Sequence, residues 1–158
     1  MTAPSRPLPV TGAELVTVSI GGQQFAIDIM SVREIRGWSR STPLPNAPAH
    51  FLGMINLRGT ILPVVDLRAR LGLGTSEVGR SSVVIVVQIG PRQVGLLVDA
   101  VCDILRVTDG MIQEPPDLGG GQAHEFVHGV MTMDDAVVSL LYLDNIAPAS
   151  DDEISAAA

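Results

Sequence analysis

Apolar and polar residues alternate in short runs along this chain, and the runs come twice. Val16, Val18 and Ile20 alternate with Thr17 and Ser19, which predicts a half-buried strand. Gly21-Gly22 follows as a tight hairpin turn, and Phe25, Ile27 and Ile29 alternate on the return strand. Val18, Ile20, Gly21, Phe25, Ile27, Ile29, Val32 and Ile35 then reappear as Val87, Ile89, Gly90, Val94, Leu96, Val98, Val101 and Ile104. The offset is 69 positions, as from Ile20 to Ile89. Gly90-Pro91-Arg92 makes the matching turn. Downstream, Phe51-Leu52 and Gly53 to Gly59 line up with Phe126-Val127 and Gly129 to Asp135, at offsets of 75 to 76. A self-similar period this long, present twice, predicts a duplicated small domain rather than a solenoid.

Within the first copy a second hairpin is predicted from Met54 to Leu57, a turn at Arg58-Gly59, and a return from Thr60 to Val65. Pro63 lacks an N–H, which places it at an edge or bulge of its strand. Asn46 to Leu52 reads as one helical turn leading into this hairpin. Asp66 stands where it can cap a short helix through Leu67 and Leu71, with Gly72 as its stop. Short strands, frequent turn signals and no long amphipathic helix predict an all-β fold. A unit of about 70 residues with roughly five short strands hides its edges best by closing into a small barrel. The expected organisation is two tandem five-stranded β-barrels with short helical turns, within a folded unit over 13–148. The first barrel is expected at about 14–80 and the second at about 81–148. Residues 1–12 and 149–158 read as loose tails.

Composition narrows the class. At 158 residues, 46% of them hydrophobic, with a mean hydropathy of +0.35, the chain can fold around a real core. No apolar run approaches the roughly 18 residues of a membrane helix, and no apolar leader follows Met1. The single cysteine, Cys102, lies between Val101 and Ile104 and is expected as a small core residue in a reducing, cytoplasmic compartment. The net charge of −7 argues against nucleic acid as a partner. All ten basic residues are arginine, and they are unevenly spread. Residues 14–80 balance to +2 and residues 81–148 to −7, so the two copies present different surfaces.

Candidate chemistry is sparse. His124-Glu125-Phe126-Val127-His128 spells H-E-x-x-H, which binds zinc when a helix sets both histidines one turn apart. Three glycines precede it, Gly129 ends it, and no third ligand follows, so no metal or cofactor is expected. No Gly-x-Ser-x-Gly elbow or phosphate loop is present. This emptiness favours a binding module over an enzyme. Asn56-Leu57-Arg58-Gly59 is the exception: a hairpin tip carrying arginine presents a planar fork of donors to a carboxylate. Copy two has Asp134-Asp135 at this place, so the fold does not require that arginine.

Three segments carry a family resemblance. They are Gln24 to Ile29, Val32-Arg33-Glu34-Ile35-Arg36-Gly37-Trp38, and above all Gly53-Met54-Ile55-Asn56-Leu57-Arg58-Gly59-Thr60-Ile61-Leu62-Pro63-Val64-Val65-Asp66-Leu67-Arg68. Together they closely resemble the CheW family of chemotaxis coupling proteins. Val83 to Val86 and Val94 to Val101 continue the match, which covers about residues 13 to 147. The resemblance implies SH3-like barrels and a non-enzymatic adaptor. Such an adaptor joins the cytoplasmic tip of a methyl-accepting chemoreceptor to the regulatory domain of a CheA-type histidine kinase. It implies partner contacts at Val32, Glu34, Gly53, Arg58, Val84 and Val101, beside Asn56 and Leu57 of the tip. It also implies a cytoplasmic protein recruited to membrane receptor arrays, with no nucleic acid and no direct membrane insertion. Gly119 to Gly121 and the acidic tail after Ala149 depart from the family pattern. Two rival readings are a zinc-dependent hydrolase using His124, Glu125 and His128, and a detached kinase regulatory domain. The start at Met1 leads us to expect a free-standing protein over the latter.

Overall fold

The computed structural model describes residues 9–38, 41–43, 45–48, 50–74, 82–114, 126–133 and 136–146. The first copy supplies β1 (Glu14–Ile20), β2 (Gln23–Asp28), β3 (Val32–Gly37), β4 (Phe51–Leu57) and β5 (Thr60–Asp66). The second supplies β6 (Val83–Ile89), β7 (Arg92–Val98), β8 (Ala100–Arg106), β9 (Val127–Met133) and β10 (Ala136–Leu141). A single α-helical turn, α1 (Leu67–Arg70), follows β5, and 3-10 turns lie at Ile29–Ser31 and Leu143–Asn145.

The copies, however, are not the barrels. One five-stranded sheet runs β8-β1-β2-β10-β9 and the other β3-β6-β7-β5-β4. Each barrel therefore joins the leading hairpin of one copy to the three trailing strands of the other. This corrects the expected division at residue 80. The connection explains it. The strand that flanks β1 starts beside Ser19, whereas β2 ends beside Leu15, two strands away. Reaching that start from β2 would take about 17 Å, given strand spacing and rise. The four steps from Asp28 to Val32 span at most about 14 Å even when extended, and here they are coiled into a 3-10 turn. Asp28 fixes that turn by accepting the Met30 N–H at 2.9 Å. The chain is sent instead into the other sheet, and after β7 Asp99 alone returns it to β8.

Exchange gives the leading hairpins two buried faces. Val16, Val18, Ile20, Phe25 and Ile27 meet Ile85, Val87, Val94, Leu96 and Val98 in a core shared between the sheets. The opposite face of the first hairpin puts Leu15 and Ala26 with Met131, Val138 and Leu140 inside one barrel. Val84, Val86 and Leu97 pack with Ile55, Leu57, Leu62 and Val64 inside the other. β1 is thus buried on both sides, not half-buried as its alternation predicts. Thr17 lies at 2% exposure because its hydroxyl bonds the Asp103 backbone, accepting from N at 3.0 Å and donating to O at 3.2 Å. Isolated bridges, Thr42 to Met54 and Gln113 to Val130, carry each sheet round toward closure.

Several local expectations change. Phe51 and Leu52 already belong to β4, preceded by a turn and not by a helix among the described residues. Phe126 corresponds to His50 instead of Phe51: Tyr142 N–H donates to the Phe126 carbonyl as Asp66 N–H donates to that of His50, both at 2.7 Å. Asp66 precedes α1 without a side-chain cap. Pro63 lies in a strand flanked on both sides, but pairing with β7 begins only at Val64, so its missing N–H costs that ladder nothing. Cys102 is exposed and not in the core, because a bulge between Val101 and Asp103 leaves it without a cross-strand partner.

Candidate partner-binding site

The Arg58-Gly59 turn carries both residues at positive φ, 50° and 85°. That conformation matches the twist of the flanking strands, and an L side chain adopts it only at some cost. Two contacts hold it. Asn56 Oδ1 accepts the Gly59 N–H at 2.8 Å. Arg58 reaches across to β3, where Nη2 lies 2.7 Å from Glu34 Oε2 and Nη1 lies 3.4 Å from Oε1. Arg36, two residues along β3 and on the same face, donates from Nη1 to Glu34 Oε1 at 2.8 Å.

One carboxylate therefore sits between two guanidinium groups. Hydrogen bonds first from Arg58 and then from Arg36 lower the Glu34 pKa from 4.5 to about 2, and Glu34 in turn raises that of Arg58. The Arg58 side chain remains 71% exposed. The arrangement is an ordered, charged hairpin tip open to a partner and devoid of reactive groups.

The predicted residues divide into three sets. Glu34, Asn56 and Arg58 come together at this tip. Leu57 and Val84 are buried inside the same barrel, and Gly53 is buried in β4 with φ of 154°. A Cβ on Gly53 would lie 2.7 Å from the Thr42 carbonyl oxygen, so that glycine serves the closing bridge. Val32 and Val101, equivalent in the two copies, are half-buried against the shared core where the chain crosses between sheets. Sequence reasoning missed Ile35 and Ile61, which are 49% and 69% exposed. Ile61 stands opposite Asn56 on the outer face of the tip hairpin. Their equivalents, Ile104 and Val137, are exposed as well. The missed signal was recurrence: apolar residues return at positions where alternation faces them away from both cores.

Of the H-E-x-x-H segment, residues 124 and 125 lie outside the described residues. His128 falls within strand β9, an extended backbone that sets residues four apart about 13 Å from each other and not one helical turn apart. Among the described residues no group of His, Cys, Asp or Glu is placed to hold a metal, and no helix is long and apolar enough to cross a membrane.

Comparison with known proteins places this geometry. Residues 14–150 match the family model of the CheW-like domain. The chemotaxis protein CheW of Rhizobium meliloti (strain 1021) is 46% identical over 153 residues, covering 97% of this chain and 99% of that one. That of Klebsiella aerogenes is 33% identical over 135 residues, covering 85% and 81%. The crystal structure of the scaffolding protein TtCheW from Thermoanaerobacter tengcongensis superposes with a TM-score of 0.78 at 29% identity, covering 92% of each chain.

Proposed function

The chain belongs to the CheW-like family, and from that premise we propose how its geometry serves a non-enzymatic chemotaxis adaptor. The adaptor couples the cytoplasmic tip of a chemoreceptor to the regulatory domain of a CheA-type histidine kinase, within arrays at the membrane. The observation that carries the reading is the Arg58–Glu34–Arg36 cluster. An exposed arginine in an uncommon backbone conformation is held by an ion pair that the fold does not need, since the second copy keeps the hairpin register, Met133 with Ala136, although its sequence has no arginine between them. Asn56 and Ile61, paired on the tip hairpin, flank it and supply the mixed polar and apolar surface of a protein contact, while Ile35 is exposed on the opposite face of β3.

Val32 and Val101 serve a different contact. Each lies half-exposed at a crossing between the sheets, one from each copy, and fits an apolar helix face laid against both barrels. Gly53, Leu57 and Val84 act indirectly, by shaping the barrel that presents the tip. Signal passes only if the kinase-on and kinase-off arrangements bind the adaptor with different affinity.

Arg58→Glu tests the reading. It sets two carboxylates face to face at an exposed site, so thermal unfolding should change little, as for other surface positions. Affinity for the kinase regulatory domain or for the receptor tip, measured separately, should fall by more than about tenfold if Arg58 is an anchor. A variant that binds both partners normally would remove Arg58 from the interface, and one that unfolds early would make it structural.

A further inference from the structure

The second barrel carries an open cleft at the place where the first barrel holds its ion pairs. A cleft of about 340 Å³ opens between β8 and the end of the β9–β10 hairpin. The duplication identifies what it corresponds to. Both third strands carry a bulge at one position, Arg33 in β3 and Cys102 in β8, so Glu34 pairs with Val86 as Asp103 pairs with Thr17. The hairpins end in matching pairs, Leu57 with Thr60 and Met133 with Ala136. Asp103, Leu105, Met133 and Ala136 line the cleft and occupy the positions of Glu34, Arg36, Leu57 and Thr60. In the first barrel, two guanidinium groups lie on the carboxylate at this place. In the second, the carboxylate is retained but Leu105 replaces Arg36, and in sequence Asp134 follows Met133 where Arg58 follows Leu57. Arg106, the next residue of β8, alternates to the face opposite Leu105.

We propose that this cleft receives the arginine side chain of a partner protein. Leu105 and Met133, both half-buried, give apolar walls for the aliphatic stem. The exposed Asp103 carboxylate takes the guanidinium head, and the Gln24 amide oxygen at the rim offers a further acceptor. Asp103 is held ready: its backbone is bonded twice to the Thr17 hydroxyl, and its Oδ1 accepts the Ile104 N–H at 2.8 Å. The surrounding charge has the matching sign. The described residues 14–28 and 99–146 hold Arg106 against seven acids: Glu14, Asp28, Asp99, Asp103, Asp109, Glu114 and Asp144. This site is separate from the Arg58 tip and does not depend on which partner that tip meets.

Cys102 makes the test direct, because it is the chain's single cysteine, exposed, and on the cleft wall. Its rate of alkylation by N-ethylmaleimide is followed on the full chain with increasing capped Val-Arg-Val peptide, and with the citrulline twin that keeps shape but not charge. The arginine peptide should slow alkylation in a saturable way and the citrulline peptide should leave it unchanged. Protection should be lost in Asp103→Asn, which keeps the acceptor for Ile104. It should also be lost in Leu105→Arg, which supplies an internal guanidinium beside Asp103 as Arg36 does beside Glu34. Equal protection by both peptides, none up to the solubility limit, or protection that survives Asp103→Asn would overturn the proposal.

Discussion

The two barrels share a strand order, a bulge and a hairpin register, yet their ends differ. The barrel of β3-β6-β7-β5-β4 carries the Arg58, Glu34 and Arg36 cluster at its end; the barrel of β8-β1-β2-β10-β9 leaves an open cleft at the same place. The hairpin exchange also sorts charge. With α1, the first barrel's described residues hold Arg33, Arg36, Arg58, Arg68, Arg70 and Arg92 against Glu34 and Asp66. The second is acidic. Division of the chain at its midpoint understates this contrast, because the leading hairpin with Glu14 and Asp28 belongs to the acidic barrel. After duplication the apolar positions were constrained by three cores, while side chains at the barrel ends were free to diverge. Differences there report on partners.

The comparison can be broken hardest at Gly53. Its Cβ would meet the Thr42 carbonyl at 2.7 Å and the Ser41 hydroxyl at 2.9 Å, with φ at 154°. Gly53→Val should cost about 3 kcal/mol from strain and overpacking, lowering Tm by roughly 6–12 °C for a chain of this size. An unchanged melting temperature would show that the Thr42–Met54 bridge does not hold the barrel closed.

A smaller effect separates the two barrel interiors. Gly95 lies where the other barrel has Ala26, and a Cβ there would approach Val84 Cγ1 at 2.8 Å. Gly95→Ala should destabilise by about 1–3 kcal/mol through overpacking. The reverse change, Ala26→Gly, should destabilise by about 1–2 kcal/mol through a lost buried methyl and a freer chain. Chemical denaturation of both variants checks this. A stabilised Gly95→Ala protein would mean the valine moves aside freely and the interiors are interchangeable.

The smallest effect is the pH response of Glu34. A carboxylate with a lowered folded-state pKa contributes its stabilisation above the unfolded value, near 4.5, and loses it as pH falls through about 2. The Glu34 carboxyl resonance should therefore stay that of a carboxylate as pH drops past 4.5 and move only near 2. In Arg58→Ala its midpoint should climb toward 4.5, with Arg36 still lowering it somewhat. A wild-type midpoint near 4.5 would mean that the guanidinium groups do not engage Glu34 in solution.

Much was determined by the sequence alone. Alternation, paired glycine turns and the long repeat specify ten short strands in two barrels, since period-two burial and positive-φ turns are local requirements. The Asn-Leu-Arg-Gly tip was legible because its four residues lie side by side along the chain. What tertiary structure decided is non-local. Hairpin exchange follows from the reach of a three-residue connection measured against a strand spacing, which no pattern of apolar residues encodes. Exchange then set which faces of β1 and β6 are buried twice and which barrel is acidic. The bulge at Cys102 turned an apparent core residue outward, because a one-residue slip moves a side chain to the other face. The Glu34–Arg58 pair spans 24 positions, and its open counterpart at Asp103 emerges only when the two copies are superposed strand by strand in the folded chain.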